Sequence, residues 1–207
     1  MLILLIRVIF TIFILITSQP GSSLFSWHPT CMILAYGLIF FEGVRVFSSK
    51  FYTNVNKPLK ITIHWILQVS ALSLALIGFL VIFYSKILKN KWHFQTWHAI
   101  FGLVTILMTL AECMGGILAK YSFLLKKFVK PLTIKRAHAL SSILTFSLSA
   151  VSIITGMNSK WFLRVTSDYH PLCKVFVIIP VILTILISFR VLRSFLPPSK
   201  GNVRNGD

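Results

Sequence analysis

Four histidines, His28, His64, His98 and His138, lie near the starts of four successive apolar runs of the sequence. An ionisable side chain inside an apolar segment is costly, and a neutral imidazole nitrogen is a good ligand for iron, copper or zinc. One such histidine more often packs in a core than binds a metal. Four at the same end of successive runs seldom arise by chance. The pattern therefore predicts two pairs of metal ligands.

The segments that position these histidines are predicted to be membrane helices. Of 207 residues, 56% are hydrophobic and 12% are charged, whereas a soluble domain has roughly 25% charged residues. A membrane-spanning helix needs about 20 apolar residues. The sequence predicts an all-α membrane protein whose six transmembrane helices cover about residues 2–17, 28–48, 62–84, 96–118, 138–157 and 173–193.

The first apolar run has two interpretations. It begins at Met1 and ends near Thr17 and Ser18, so a signal peptide would have a similar length. Arg7 lies in its middle and no basic segment precedes it, which favours a retained membrane helix. Both interpretations place the residues around Trp27 outside the cytosol.

The charge of the chain, +17 from 21 basic and 4 acidic residues, belongs to the loops. A nucleic-acid-binding protein would carry it on an exposed face, so no nucleic-acid partner is expected. The segments after the second, fourth and sixth runs hold 14 basic residues, against six on the other side. The positive-inside rule places the first group in the cytosol. Both termini are then cytosolic, and residues 197–207 are predicted to be a flexible cytosolic tail.

Because successive helices run in opposite directions, the four histidines fall into two layers. His28 and His98 share the non-cytoplasmic level, and His64 and His138 share the cytosolic level, roughly 20 Å away. Paired imidazoles suit haem iron or copper better than a structural zinc site. Cys31, Cys113 and Cys173 form neither a C-x-x-C pair nor a motif for covalent haem attachment.

Segments around the histidines carry a further pattern. They are Pro20-Gly-Ser-Ser-Leu-Phe-Ser-Trp-His28-Pro29, His64-Trp-Ile-Leu-Gln68, His93-Phe-Gln-Thr-Trp-His98-Ala-Ile-Phe-Gly102, and Ala137-His138-Ala139 leading to Gly156-Met157. Together they resemble the cytochrome b561 family, in particular its single-domain branch of transmembrane reductases. The resemblance extends over about residues 18–195.

This resemblance implies one domain over residues 1–196, with a central four-helix bundle that holds two non-covalent b-type haems. His28 and His98 would bind the non-cytoplasmic haem, and His64 and His138 the cytosolic one. The implied activity passes electrons from cytosolic ascorbate through both haems to monodehydroascorbate or a ferric chelate on the other side, with no catalytic residues beyond the haem ligands. An endoplasmic reticulum or vesicle membrane and a homodimer are also implied.

Candidate substrate residues lie at both ends of the predicted bundle. Arg45, Lys57, Lys60 and Lys135 would attract the ascorbate anion, although cytosolic loops of membrane proteins are commonly basic. The segment from Gly43 to Phe47 resembles part of the family's ascorbate motif, with Ser48 in place of a second basic residue. His93 and Trp97 lie on the acceptor side, where an interfacial aromatic belt would also explain the tryptophan.

Two acidic residues fall within predicted spans. Glu42 is three residues from Arg45, which predicts a local ion pair. Glu112 has no basic partner near it in the sequence. It could tune a haem, carry a proton, or be a neutral acid hydrogen-bonded to a hydroxyl group.

Two other functions compete with electron transfer. Membrane histidines could pass a divalent ion, which would make the chain a non-enzymatic metal transporter, although such proteins usually add carboxylate ligands and broken helices. A haem protein that signals or assembles with a partner, without turnover, is the other alternative.

Overall fold

The computed structural model describes residues 2–193, so the predicted tail at 197–207 lies outside the described residues. Helices form all the regular structure between residues 2 and 193, which confirms the predicted all-α membrane class. The longer ones are α1 (Leu2–Ser18), α2 (Leu24–Arg45), α3 (Lys57–Leu88), α4 (Trp97–Lys120), α5 (Pro131–Met157), α6 (Lys160–Val165) and α7 (His170–Arg193). Short 3-10 helices lie in three of the connections, at Lys50–Tyr52, Ser122–Leu125 and Ser167–Tyr169.

Five of these helices are long and apolar enough to cross a membrane: α2, α3, α4, α5 and, from Cys173 onwards, α7. The sixth apolar helix, α1, is shorter, with 17 residues. At about 1.5 Å per residue it reaches roughly 25 Å, slightly less than a hydrocarbon core of about 30 Å. The chain is therefore a multi-pass integral membrane protein.

Two helices begin well before the apolar residues that predicted them. Helix α3 begins at Lys57 rather than near residue 62, because the Asn56 side chain caps it by accepting a hydrogen bond from the Leu59 amide at 2.9 Å. Helix α5 begins at Pro131 rather than near residue 138, since proline fits the first turn of a helix. Hydropathy marks the apolar part of a helix and does not detect a polar turn before it.

Helix α2 contains a feature that hydropathy does not reveal. Residues Ile33–Phe40 form a π-helix between the α-helical segments Trp27–Met32 and Phe41–Arg45. A π segment adds a residue to a helix without ending it, and such segments are frequent near functional sites.

Helices α2 to α5 form a four-helix bundle. Helix α3 packs on α2 and α4, and α4 packs closely on α5. Stacked rings of Phe40 and Phe146, 6.1 Å apart, join α2 to α5. Ala71 and Ala75 of α3 are fully buried, which allows close helix packing.

Helices α1 and α7 pack on this bundle and on each other. The rings of Phe13 and Phe176 stack at 4.1 Å between them. The bundle is thus supported on one side by two further apolar helices.

Candidate functional site

The structure brings the four histidines together as two pairs. His28 of α2 lies beside His98 of α4, with ring centroids 6.0 Å apart. His64 of α3 lies beside His138 of α5, with ring centroids 6.2 Å apart. We call these the His28–His98 pair and the His64–His138 pair.

Three of the four imidazoles donate a hydrogen bond from Nδ1 to a backbone carbonyl of another helix. The bonds join His28 to Gly78 (3.0 Å), His64 to Gly43 (2.7 Å) and His98 to Ser152 (2.9 Å). A carbonyl oxygen only accepts, so Nδ1 must carry the proton. In a neutral imidazole this leaves the Nε2 lone pair free to bind a metal.

The fourth imidazole has a carboxylate where the others have a carbonyl. Nδ1 of His138 lies 2.9 Å from Oε2 of Glu112. The two atoms are not aligned as in a straight hydrogen bond, and neither has another partner within the described chain. A histidine whose second nitrogen faces a carbonyl or carboxylate is the usual arrangement of a metal ligand.

The histidines and their acceptors follow a regular spacing along the bundle. Each helix from α2 to α5 provides a histidine to one pair and an acceptor to the other. The acceptor follows the histidine by 14 residues on α3, α4 and α5 (64 to 78, 98 to 112, 138 to 152) and by 15 on α2 (28 to 43). The π segment of α2 lies between His28 and Gly43 and accommodates the additional residue.

This spacing also sets the distance between the two pairs. On α3, His64 belongs to one pair, and Gly78 contacts His28 of the other. Fourteen residues at about 1.5 Å each correspond to roughly 20 Å along the helix axis. The two pairs therefore lie near opposite ends of the apolar part of the bundle.

Glycines leave room for two of the imidazole rings. A Cβ atom at Gly156 of α5 would lie 3.0 Å from Cε1 and from Nδ1 of His98, closer than such contacts normally come. At the other pair, Cβ atoms at Gly115 and Gly116 of α4 would lie 3.4 Å and 3.5 Å from the nearest ring atoms of His138. Small residues here let a ring lie directly on the neighbouring backbone.

A mainly apolar cavity of about 330 Å³ lies at the His28–His98 pair. Both histidines line it, together with Lys86 and His93. The His93 ring stacks on Phe83 at 4.1 Å. Trp97, by contrast, is 70% exposed and is not among the lining residues. An apolar cavity with a few polar groups is typical of a cofactor site.

Charged side chains form a cluster where α1 meets the end of α2. Oε2 of Glu42 lies 3.0 Å from Nη2 of Arg7 and 2.7 Å from Nη1 of Arg45, and Tyr52 donates a hydrogen bond to Oε1 at 3.0 Å. The guanidinium of Arg7 also lies 4.4 Å from the ring centroid of Phe41. Burial and the bond to the Glu42 carboxylate raise the pKa of Tyr52.

The remaining predicted donor-side residues lie at the same end of the bundle as this cluster. Lys57 and Lys60 are on the first turns of α3, before His64, and Lys135 is on the first turns of α5, before His138. Lys57 and Lys135 are exposed, and Lys60 is half-buried. Arg45 is different, because Glu42 and the Ser49 hydroxyl hold its guanidinium.

The geometry of both pairs fits a metal between two imidazoles. Two metal–nitrogen bonds of about 2 Å, plus roughly 1 Å from each nitrogen to its ring centre, separate the ring centroids by about 6 Å. Among the side chains that the structure describes, no three from His, Cys, Asp or Glu group as a metal site. Two protein ligands suit a haem, in which the porphyrin supplies the other ligands to iron.

Comparison with known proteins shows similarity to a family of membrane cytochromes. The family model described as eukaryotic cytochrome b561 matches residues 27–163. The chain is 36% identical over 191 residues to transmembrane reductase CYB561D2 of Bos taurus, covering 90% of this chain and 84% of that protein.

Two further relatives extend the comparison. Probable transmembrane reductase CYB561D1 of Mus musculus is 30% identical over 201 residues, covering 95% of this chain and 85% of its own length. Transmembrane ascorbate-dependent reductase CYB561 of Bos taurus is 24% identical over 149 residues, covering 70% and 56%. With the family model matching most of its length and a relative above 30% identity covering 90% of it, the chain belongs to the cytochrome b561 family.

Proposed function

We propose that this chain is a transmembrane oxidoreductase that takes electrons from cytosolic ascorbate and delivers them to monodehydroascorbate or a ferric chelate on the other side. Family membership and the names of its relatives support transmembrane reductase activity, and the family implies b-type haem. Beyond this activity and cofactor class, we propose that there are two haems and that the four histidines are their ligands, and we propose which substrates are used and how the chain is oriented in the membrane.

One observation carries this proposal. Each pair presents two imidazoles with ring centroids about 6 Å apart, and the second nitrogen of each ring faces an acceptor. His28 with His98, and His64 with His138, would each hold one haem non-covalently through Nε2. Haem iron, when bound, supplies one-electron redox chemistry.

Other residues of the chain orient the four histidines and surround them. The carbonyls of Gly43, Gly78 and Ser152 orient three ligands, and the glycines of α4 and α5 let two rings lie on the backbone. Apolar side chains form most of the lining of the cavity at the His28–His98 pair. The chain thereby holds its redox sites in a low-dielectric bundle at both ends of the membrane-spanning region.

The donor would bind at the end that carries the His64–His138 pair. Ascorbate is an anion at neutral pH, and exposed Lys57 and Lys135 with half-buried Lys60 would raise its local concentration. Arg45 lies two residues after Gly43, and the Glu42 carboxylate fixes its position beside this end of the bundle. On donation, ascorbate loses one electron and one proton to become monodehydroascorbate.

The acceptor would bind at the opposite end. His93 and Lys86 line the same cavity as His28 and His98, so they are placed to contact an oxygen-rich acceptor. Trp97 is exposed at the start of α4, where an indole ring suits the membrane interface. The acceptor gains one electron, which converts a ferric chelate to ferrous, or, with a proton, monodehydroascorbate to ascorbate.

Transfer across a sealed membrane tests the activity directly. Vesicles reconstituted with the haem-loaded protein and containing a trapped ferric chelate should form ferrous chelate when ascorbate is added outside. Vesicles without protein, and vesicles with the H98A variant, should not. Uptake of divalent metal ions without electron transfer would contradict the proposal and favour a metal transporter.

Removal of a single ligand tests the pairing. In H64A one of the two haems should be lost, because an apolar bundle offers no replacement ligand, and the haem of the His28–His98 pair should remain. Haem per chain, measured as its pyridine complex, gives the count. H93A is the matched control and should keep both haems. Two haems per chain in H64A would refute the pairing.

Crowding of a ligand by a single methyl group tests the site geometry. The G156A variant adds a Cβ atom 3.0 Å from two atoms of the His98 ring, so this ring must move and its haem should be weakly bound or lost. G116A is the mirror control, since its Cβ atom would lie at an ordinary 3.5 Å from His138. Equal haem content and equal low-spin spectra in both variants would show that the ring does not pack on Gly156 when haem is bound.

A further inference from the structure

Glu112 is a buried acid that the proposed electron transfer does not require. It lies on α4, at the level of the His64–His138 pair, and is 8% exposed. A carboxylate in a membrane span is costly unless it has a partner. Within the described chain, the one ionisable group in ion-pair distance of its carboxylate is Nδ1 of His138, at 2.9 Å.

The His28–His98 pair shows that a histidine ligand can be oriented without a carboxylate. His98 of α4 donates to the carbonyl of Ser152, and its ring lies on Gly156, four residues further along α5. His138 of α5 faces Glu112, and its ring lies near Gly116, four residues further along α4. The two arrangements correspond residue by residue, with a carboxylate side chain where the other has a backbone carbonyl.

A carbonyl therefore suffices to orient a ligand in this bundle, because backbone carbonyls hold His28, His64 and His98 alike. What the carboxylate adds is negative charge beside the imidazole. A carboxylate partner raises the basicity of a histidine ligand. A more basic ligand with a nearby negative charge stabilises ferric iron relative to ferrous iron, and low dielectric strengthens the effect.

We propose that Glu112 is a positioning residue that acts through His138 to lower the reduction potential of the haem held by the His64–His138 pair, relative to the other haem. This inference rests on the proposed function. It makes the two sites unequal and sets the lower potential at the donor end. Electrons then move downhill from the His64–His138 pair to the His28–His98 pair.

The E112Q variant isolates the charge, because glutamine keeps the shape and an acceptor oxygen. Spectroelectrochemical titration of the purified, haem-loaded protein should give two midpoint potentials. In E112Q one of them should rise, with the ferrous-to-ferric ratio of that haem about tenfold higher at a given potential, or about 59 mV for a one-electron couple. The low-spin ferric EPR signal of the same haem should change.

The second haem serves as an internal control and should keep its potential in E112Q. M114L is the matched variant on the same helix, since Met114 is 68% exposed and should affect neither haem. Combination of E112Q with H98A, which retains only the His64–His138 haem, assigns the shifted potential to that pair.

The outcomes separate this inference from the function on which it rests. Wild-type protein without haem would overturn the proposed function. Two haems in the wild type, with potentials and EPR signals unchanged in E112Q, would overturn only the role of Glu112. If E112Q does not fold, E112D and E112N give the same contrast between charged and neutral side chains, and equal potentials in these two would overturn the inference.

Discussion

An imidazole inside an apolar bundle must find a partner for its Nδ1 proton, and much of the structure follows from this constraint. Three backbone carbonyls satisfy it here, and a carboxylate oxygen lies 2.9 Å from the fourth Nδ1. Each of these oxygens comes from a different helix than the ring it faces. In the three carbonyl-bonded rings the requirement places the proton on Nδ1, and it leaves Nε2 free for a metal. It also sets the register of the helices, because each histidine must lie level with an acceptor on a neighbouring helix. That acceptor follows the neighbouring helix's own histidine by 14 or 15 residues. The π segment of α2 is the local adjustment to this register.

Much of the fold could be predicted from sequence, because hydropathy and alternating helix direction determine it. The all-α membrane class and the cytochrome b561 family were predicted and are confirmed. The acceptors could not be recognised, since Gly43, Gly78 and Ser152 act through carbonyl groups that every residue has. Nothing in the sequence distinguishes Gly78 and Gly156 from glycines that only let helices pack closely, whereas Gly78 accepts a hydrogen bond from His28 and Gly156 lies against the His98 ring. The regular spacing from histidine to acceptor is present in the sequence. It can be recognised only when the neighbouring helices are known, because each acceptor serves a histidine of another helix.

Charge pairs between residues far apart in the sequence could not be predicted from it either. The local pair of Glu42 with Arg45 follows from their spacing on one helix and is present, but Arg7 on α1 and Tyr52 beyond α2 complete the cluster. This cluster is close to the His64–His138 pair, because Glu42 precedes Gly43, whose carbonyl accepts a hydrogen bond from His64. Two guanidinium groups share one carboxylate there, so the cluster adds positive charge at the end of the bundle where an anionic donor would bind. Helix α1 thus contributes to the end of the bundle that carries the His64–His138 pair through the buried side chain of Arg7, as well as through apolar packing.

Each histidine pair is proposed to hold one haem. The most direct measurement is a reduced-minus-oxidised absorption spectrum of the purified protein in detergent, with haem quantified per chain and ascorbate as the reductant. We expect two low-spin b-type haems per chain, both reduced by ascorbate. A folded preparation made with adequate haem that contains none would contradict it, and the four histidines would then have to serve another ligand.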